Sequence, residues 1–334
     1  MKKLLPLLLI LPLLAACVDE DDYDNTPQGN FNALWTIIDQ KYCFFPQKEA
    51  EGLDWDEIYS RYNAYITPDL SDQQLFELCA NMLAELEDGH VNLTSAFNTA
   101  RYWDWFEDYA TNFDDSLQQL YLGTDYRLSS GLKYTILSDN IGYIYCSSFD
   151  YSFGSGNLSA MMSYLALCDG LIVDIRSNSG GMLTSATDLA GCFTNTEITG
   201  AYISHKTGTA HDAFSSPTAI KISPAEGLRW QKPVVVLTNR SSYSAANTFA
   251  ALMQACGAIL VGDKTGGGAG FPFKSELPNG WTVRLSVSPI YNTALESIEN
   301  GITPDVAAAI ADDDRLLSRD SMIEAAIATL KANQ

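Results

Sequence analysis

Gly170-Leu171-Ile172-Val173-Asp174-Ile175-Arg176-Ser177-Asn178-Ser179-Gly180-Gly181 is a short apolar run that breaks into a polar turn closed by two glycines. A run of this length with branched side chains and no alternation predicts a strand covered on both faces. Pro233-Val234-Val235-Val236-Leu237 repeats the pattern, and a helix over 245–255 and a strand over 258–261 follow it. Strands are also expected at 134–137 and 141–146, with a helix across 158–168. Apolar strands alternating with helices predict an α/β fold, a buried sheet with flanking helices.

Working outward, residues 29–96 read as a small helical domain. Leu34, Ile37 and Ile38, then Leu75, Leu78, Cys79, Met82, Leu83 and Leu86, recur at spacings of three and four, with Ser71 as a cap. Residues 97–132 are rich in Trp, Tyr, Phe and Asp without a clean period and read as an aromatic connector. The main core spans 133–334. Two strand-like segments between Ile198 and Ile222 flank a turn that holds His205 and His211.

The amino terminus carries an address. Met1-Lys2-Lys3 and an apolar stretch lead to Leu14-Ala15-Ala16-Cys17, the pattern of a lipoprotein signal peptide over 1–16 with Cys17 as the lipid acceptor. The stretch is too short to span a bilayer. Residues 17–28 are an acidic tether, similar to tags that carry some bacterial lipoproteins to the cell surface. An exported, outer-membrane lipoprotein is expected, attached to the membrane through its lipid alone. The formal charge of -21 repels phosphates and argues against nucleic-acid binding. The cysteines lack close metal-ligand spacing, and no metal or organic cofactor is expected. Neither disulfide pairing nor an oligomeric state follows from the sequence.

Four segments can carry chemistry. Thr238-Asn239-Arg240-Ser241-Ser242-Tyr243-Ser244-Ala245-Ala246-Asn247 joins a buried strand to a helix, which exposes Ser244 and leaves the Ala245 N–H free beside a helix amino end. The Gly180-Gly181 turn leaves its own buried strand and offers backbone donors for one half of an oxyanion hole. Glu87-Asp88-Gly89-His90-Val91-Asn92-Leu93 supplies a histidine, and Glu296-Ser297-Ile298-Glu299-Asn300-Gly301-Ile302-Thr303-Pro304-Asp305 supplies carboxylates. Taken singly, each has a plain alternative: a helix cap, a loop of small residues, a structural histidine, a solvated turn.

In this order the segments resemble peptidase family S41, which includes the carboxyl-terminal processing proteases and the tricorn core protease. Asp174 to Gly181 is similar to the family's Gly-Gly turn, and Ser244-Ala245-Ala246 to its nucleophile turn. Val261-Gly262-Asp263-Lys264-Thr265-Gly266-Gly267-Gly268 and Gly301-Ile302-Thr303-Pro304-Asp305 are similar to its glycine-rich loop and closing motif. The resemblance implies a core of the ClpP/crotonase type and a serine endopeptidase acting on polypeptides. It implies Ser244 as nucleophile and Gly180, Gly181 and Ala245 as oxyanion donors. The processing proteases take their base from a lysine late in the glycine-rich loop, but Gly268 and Ala269 stand there, with Lys264 before and Lys274 beyond. The tricorn-like scheme implies His90 as base and Glu299, or else Glu296, as the third member.

Three departures stand out. Gly89 precedes the histidine where the tricorn protease has a serine, and Asn247 stands where many relatives carry glutamate. The connector is too short for the PDZ-like domain of many relatives. A cleft-edge strand at 202–205 is therefore expected to take up an extended peptide by strand addition. Two other readings share the fold: a peptide- or apolar-ligand-binding protein without activity, and an esterase or amidase for small substrates.

Overall fold

A computed structural model describes residues 23–333. The leader, Cys17 and the acidic run through Asp22 lie outside the described residues. The chain then forms four helices. Thr26 caps α1 (Pro27–Lys41), with Pro27 at its first turn. Next come α2 (Phe45–Ala50), α3 (Trp55–Asn63) and α4 (Asp72–Ala84), the last opened by a capping box between Ser71 and Gln74. Their inward faces, with Phe31, Leu34, Cys79 and Met82, pack on Trp281, Val283 and Leu285 from far downstream. The helical region thus closes its core only with residues of the main fold.

Strands β1 (Asn92–Thr94) and β2 (Thr99–Arg101) lead into the aromatic connector. That connector folds as α5 (Asp104–Glu107), α6 (Asp115–Leu122) and β3 (Arg127–Ser129), with no complete PDZ-like domain among the described residues. The core then runs β4 (Leu132–Ile136), β5 (Ile141–Cys146), α7 (Ser155–Leu165), β6 (Gly170–Asp174) and α8 (Leu183–Ala190). After β7 (Ile198–Ile203) and β8 (Thr218–Ile222) come β9 (Val234–Thr238), α9 (Ala245–Ala255) and β10 (Ile259–Gly262). The chain closes with β11 (Gly270–Glu276), β12 (Thr282–Tyr291), β13 (Val306–Ala307), α10 (Asp312–Leu316) and α11 (Ser321–Ala332).

The strands form two sheets. In the larger, ordered β13-β10-β9-β6-β5-β4-β3, pairing is parallel from β13 to β5 and antiparallel beyond. Every residue of β5, β6 and β9 is buried, because Met161, Leu165, Leu189 and Phe249 cover one face and Met322, Ile323 and Ile327 the other. This is the buried α/β sheet that the continuous apolar runs predict. The smaller sheet is ordered β2-β1-β12-β7-β8, with β11 also paired to β12. The strand expected to offer a free edge at 202–205 is internal at Tyr202 and Ile203. Both pair with β8 on one side and with β12 on the other. The partner that fills the edge lies far along the chain and leaves no local trace. The described cysteines are unpaired thiols, all buried except half-buried Cys256.

At the end of β6 the Arg176 guanidinium is withdrawn from water. It meets Asp174 at 2.7 Å and Asp320 at 2.9 Å, and the Tyr143 hydroxyl donates to Asp174 at 2.7 Å. Asp320 also caps α11 by accepting the Met322 and Ile323 amides. Breaking a buried pair on one side strands the opposite charge. Arg176→Met is expected to lower unfolding free energy by about 3–5 kcal/mol, read from urea denaturation of the full chain. A loss no larger than that of an ordinary surface substitution would refute this role.

Candidate active site

Ser244 sits where β9 turns into α9, with φ 58° and ψ -119°. A non-glycine residue in this region is strained and persists only where its surroundings impose it. Here three contacts do so. The Ser242 hydroxyl donates to Ile175 O at 2.8 Å, Tyr243 N–H donates to Asn178 O at 3.0 Å, and Ser244 N–H donates to Gly267 O at 2.8 Å. The Ser244 turn is thereby laced to the Gly-Gly turn and to the glycine-rich loop. The side chain that results faces an open cleft of about 1140 Å³.

His90 reaches the same cleft from the turn just before β1. Its backbone N–H donates to Asp88 Oδ1 at 2.7 Å, and its Nε2 lies 3.0 Å from Ser244 Oγ. The imidazole edge rests on the Tyr243 ring, which stacks in turn on Trp105 with 4.0 Å between centroids. Burial, and then the positive charge of Arg284, push the His90 pKa down to about 3. The ring is therefore neutral near pH 7. Its Nδ1 is buried and has no hydrogen-bond partner among the described residues. Among the described residues His90 is the only hydrogen-bond partner of Ser244 Oγ. Lys264 lines a separate hollow with Asp88 and Glu299, and Lys274 lines the cleft wall.

Of the expected oxyanion donors, two are free. The Gly181 and Ala245 N–H groups have no partner among the described residues, whereas Gly180 N–H donates to Asn178 Oδ1 at 2.9 Å. Gly180 serves instead by its lack of a side chain. A Cβ there would lie 2.8 Å from Ser244 Cβ, and one at Gly181 would lie 2.3 Å from Phe149 C. Both glycines also have positive φ, 104° and 133°.

Glu299 is buried but is not brought to His90. Its Oε2 accepts the Ala269 amide at 2.5 Å, and its carbonyl accepts the Gly268 amide at 3.0 Å. Burial and the nearby Asp88 carboxylate push Glu299 well above the usual carboxylate range. Burial raises Asp88 as well, less so because the His90 amide and the Ser286 hydroxyl favour its charged form. Glu296 faces solvent and bonds Asn292 at 2.8 Å.

Two features escape a reading of the sequence. A Cβ at Gly89 would lie 2.5 Å from Trp105 Nε1, so an indole from the connector fills the space a serine would need. Asn178, fully buried, holds Gly180 through Oδ1, Cys146 O through Nδ2, and Tyr243 through its carbonyl. Only its place between two serines in a polar turn hints at either role. Asn247 links α9 to Ile298 O and to the Thr265 hydroxyl. No group of three His, Cys, Asp or Glu side chains among the described residues could hold a metal ion.

Residues 140–308 match the family model described as peptidase family S41, and residues 23–84 that of the tricorn protease C1 domain. A carboxy-terminal processing protease of Bacillus subtilis is 28% identical over 181 residues, 53% of this chain and 37% of that protein. One from Picosynechococcus is 32% identical over 140 residues, 41% of this chain and 31% of that protein. The chain thus spans about a third of the length of these relatives. A crystal structure of a candidate peptidase from Parabacteroides merdae is 44% identical, with a TM-score of 0.87 over 92% of this chain and 97% of that one. Mature CPAF shares the fold at 14% identity, TM-score 0.69, over 92% of this chain and 96% of that one.

The state of Glu299 predicts a pH dependence of stability. A carboxyl raised in the folded state binds its proton more tightly than in the unfolded chain, so its contribution is complete below the ordinary value of 4.5 and is lost as pH rises toward the folded value. Glu299→Gln removes that slope. Between about pH 5 and about pH 8 the wild type is expected to lose more stability than the variant, measured by denaturant midpoints. Parallel losses in both proteins would contradict the assignment.

Proposed function

Since the chain belongs to peptidase family S41, we propose that it is a serine peptidase that hydrolyses peptide bonds through an acyl-enzyme on Ser244, with His90 as general base. The observation that carries this reading is the 3.0 Å approach of His90 Nε2 to Ser244 Oγ beside two unpaired backbone donors. Neutral His90 accepts the hydroxyl proton as Oγ attacks the scissile carbonyl carbon. The Gly181 amide, and the Ala245 amide at the amino end of α9, receive the oxyanion. The imidazolium then returns its proton to the leaving amine, and a water repeats the sequence to free the acid.

In this reading the site works as a dyad, since no carboxylate meets His90 Nδ1 and the ring is oriented by its contact with Tyr243. Glu299 is a positioning residue. It holds Gly268 and Ala269, next to the Gly267 carbonyl that fixes the Ser244 amide. A polypeptide substrate lies along β11, whose outer edge borders the cleft and takes the place of the buried 202–205 edge. Cys17, carrying lipid, anchors the enzyme at the outer membrane; the lipobox sequence supports this.

A fluorophosphonate probe is expected to label the full chain, and Ser244→Ala to abolish labelling. His90→Ala should slow labelling by about 100-fold or more with the fold intact by circular dichroism. Labelling that persists in Ser244→Ala would overturn the nucleophile. The depressed His90 pKa means that the base stays unprotonated on acidification down to about 3. The labelling rate should therefore hold as pH falls through the ordinary histidine value of about 6.5. An acid limb at that value would refute the buried-base assignment.

A further inference from the structure

We infer that Arg101, Arg284 and Lys274 form a cationic row that selects polypeptides presenting a carboxylate beside the scissile bond. The inference rests on the peptidase reading for the reaction, but its binding step stands apart from it. In the smaller sheet Arg101 lies opposite Asn92, Asn92 opposite Arg284, and Arg284 opposite Lys274. Directly opposed residues project from the same face. All three cations line the cleft that holds Ser244 and His90.

No carboxylate pairs with the row among the described residues; Asp88 acts on Arg284 through space, without an ion pair. None of the three makes an ion pair or donates a side-chain hydrogen bond among the described residues. Arg101 rests over the Trp103 ring at 5.2 Å. The one carboxylate lining the cleft, Asp150, already accepts from the Ser148 hydroxyl. Acidic residues outnumber basic ones 41 to 20, so three unpaired cations in one place run against the composition. Arg284 and Lys274 face each other directly, which costs stability, and Arg284 is half-buried. An anionic group seated between them removes both costs.

A carboxylate suits this row better than a neutral peptide group, because the guanidinium fork binds both of its oxygens. Arg284 stands cross-strand from Asn92, two residues beyond His90, so the anion would sit next to the reacting bond. It would also offset the charge by which Arg284 depresses His90. A recognised substrate then meets a more basic imidazole than an unrecognised one.

The carboxylate can be the chain terminus or an Asp or Glu side chain, and matched probes separate them. Dansylated octapeptide mixtures are prepared as free acids or carboxamides, each with Glu or Gln at one position. Cleavage by the full chain is followed by mass spectrometry, and binding to Ser244→Ala by fluorescence polarisation. The anionic member of a pair is expected to be favoured about tenfold or more in kcat/KM and in binding. Arg284→Gln, and separately Arg101→Gln with Lys274→Gln, should bring that ratio close to one. A ratio that responds to the terminus assigns the row to chain ends; one that responds to Glu assigns it to side chains. Equal handling of acid and neutral peptides, or a preference unchanged in the variants, overturns the proposal. Absence of cleavage and of fluorophosphonate labelling alongside selective binding would overturn the peptidase reading and leave the cationic row standing.

Discussion

The Arg176 guanidinium, clamped between Asp174 and Asp320, is the contact on which the site depends. Taking three charges out of water is expensive, and apolar residues of equal volume would often serve stability as well. What the ion cluster adds is direction. It fixes how the chain leaves β6, so that Asn178 can catch both Gly180 and Tyr243, and Tyr243 can carry Ser244 into its strained geometry. The strain at Ser244 is thus held in place by a hydrogen-bonded lattice that begins in the core.

His90 follows a different logic. His90 is buried against aromatic rings, and the acid nearest in sequence, Asp88, accepts from backbone and hydroxyl donors rather than from the imidazole. A ring kept neutral by its surroundings is always ready to accept a proton and reluctant to keep one. Under the proposed acyl-transfer reading, that reluctance favours rapid return of the proton to a leaving group, at the expense of the first transfer.

The buried sheet was legible because Leu171 to Val173 and Val234 to Leu237 carry continuous apolar side chains, a pattern with few local alternatives. Ser244 and Gly181 were legible for a related reason: each follows such a strand, and the position of a turn is written beside it. Glu299 was found as a residue but not in its place, since the distance between its carboxyl and His90 is set by the path of the loop that carries it. The interior position of Tyr202 and the indole behind Gly89 were not legible at all. Both depend on partners distant in the chain, β12 for one and Trp105 for the other.

His90 leads into a strand of the smaller sheet and Ser244 follows a strand of the larger, and each sheet is completed late. Strand β12 roofs the helical core, and α11 brings Asp320 to Arg176. A nascent chain therefore carries a hydroxyl and an imidazole that have not met until nearly all of it has been made. The meeting of the two side chains is thus a consequence of assembly, set by a strand and a helix from the last part of the chain.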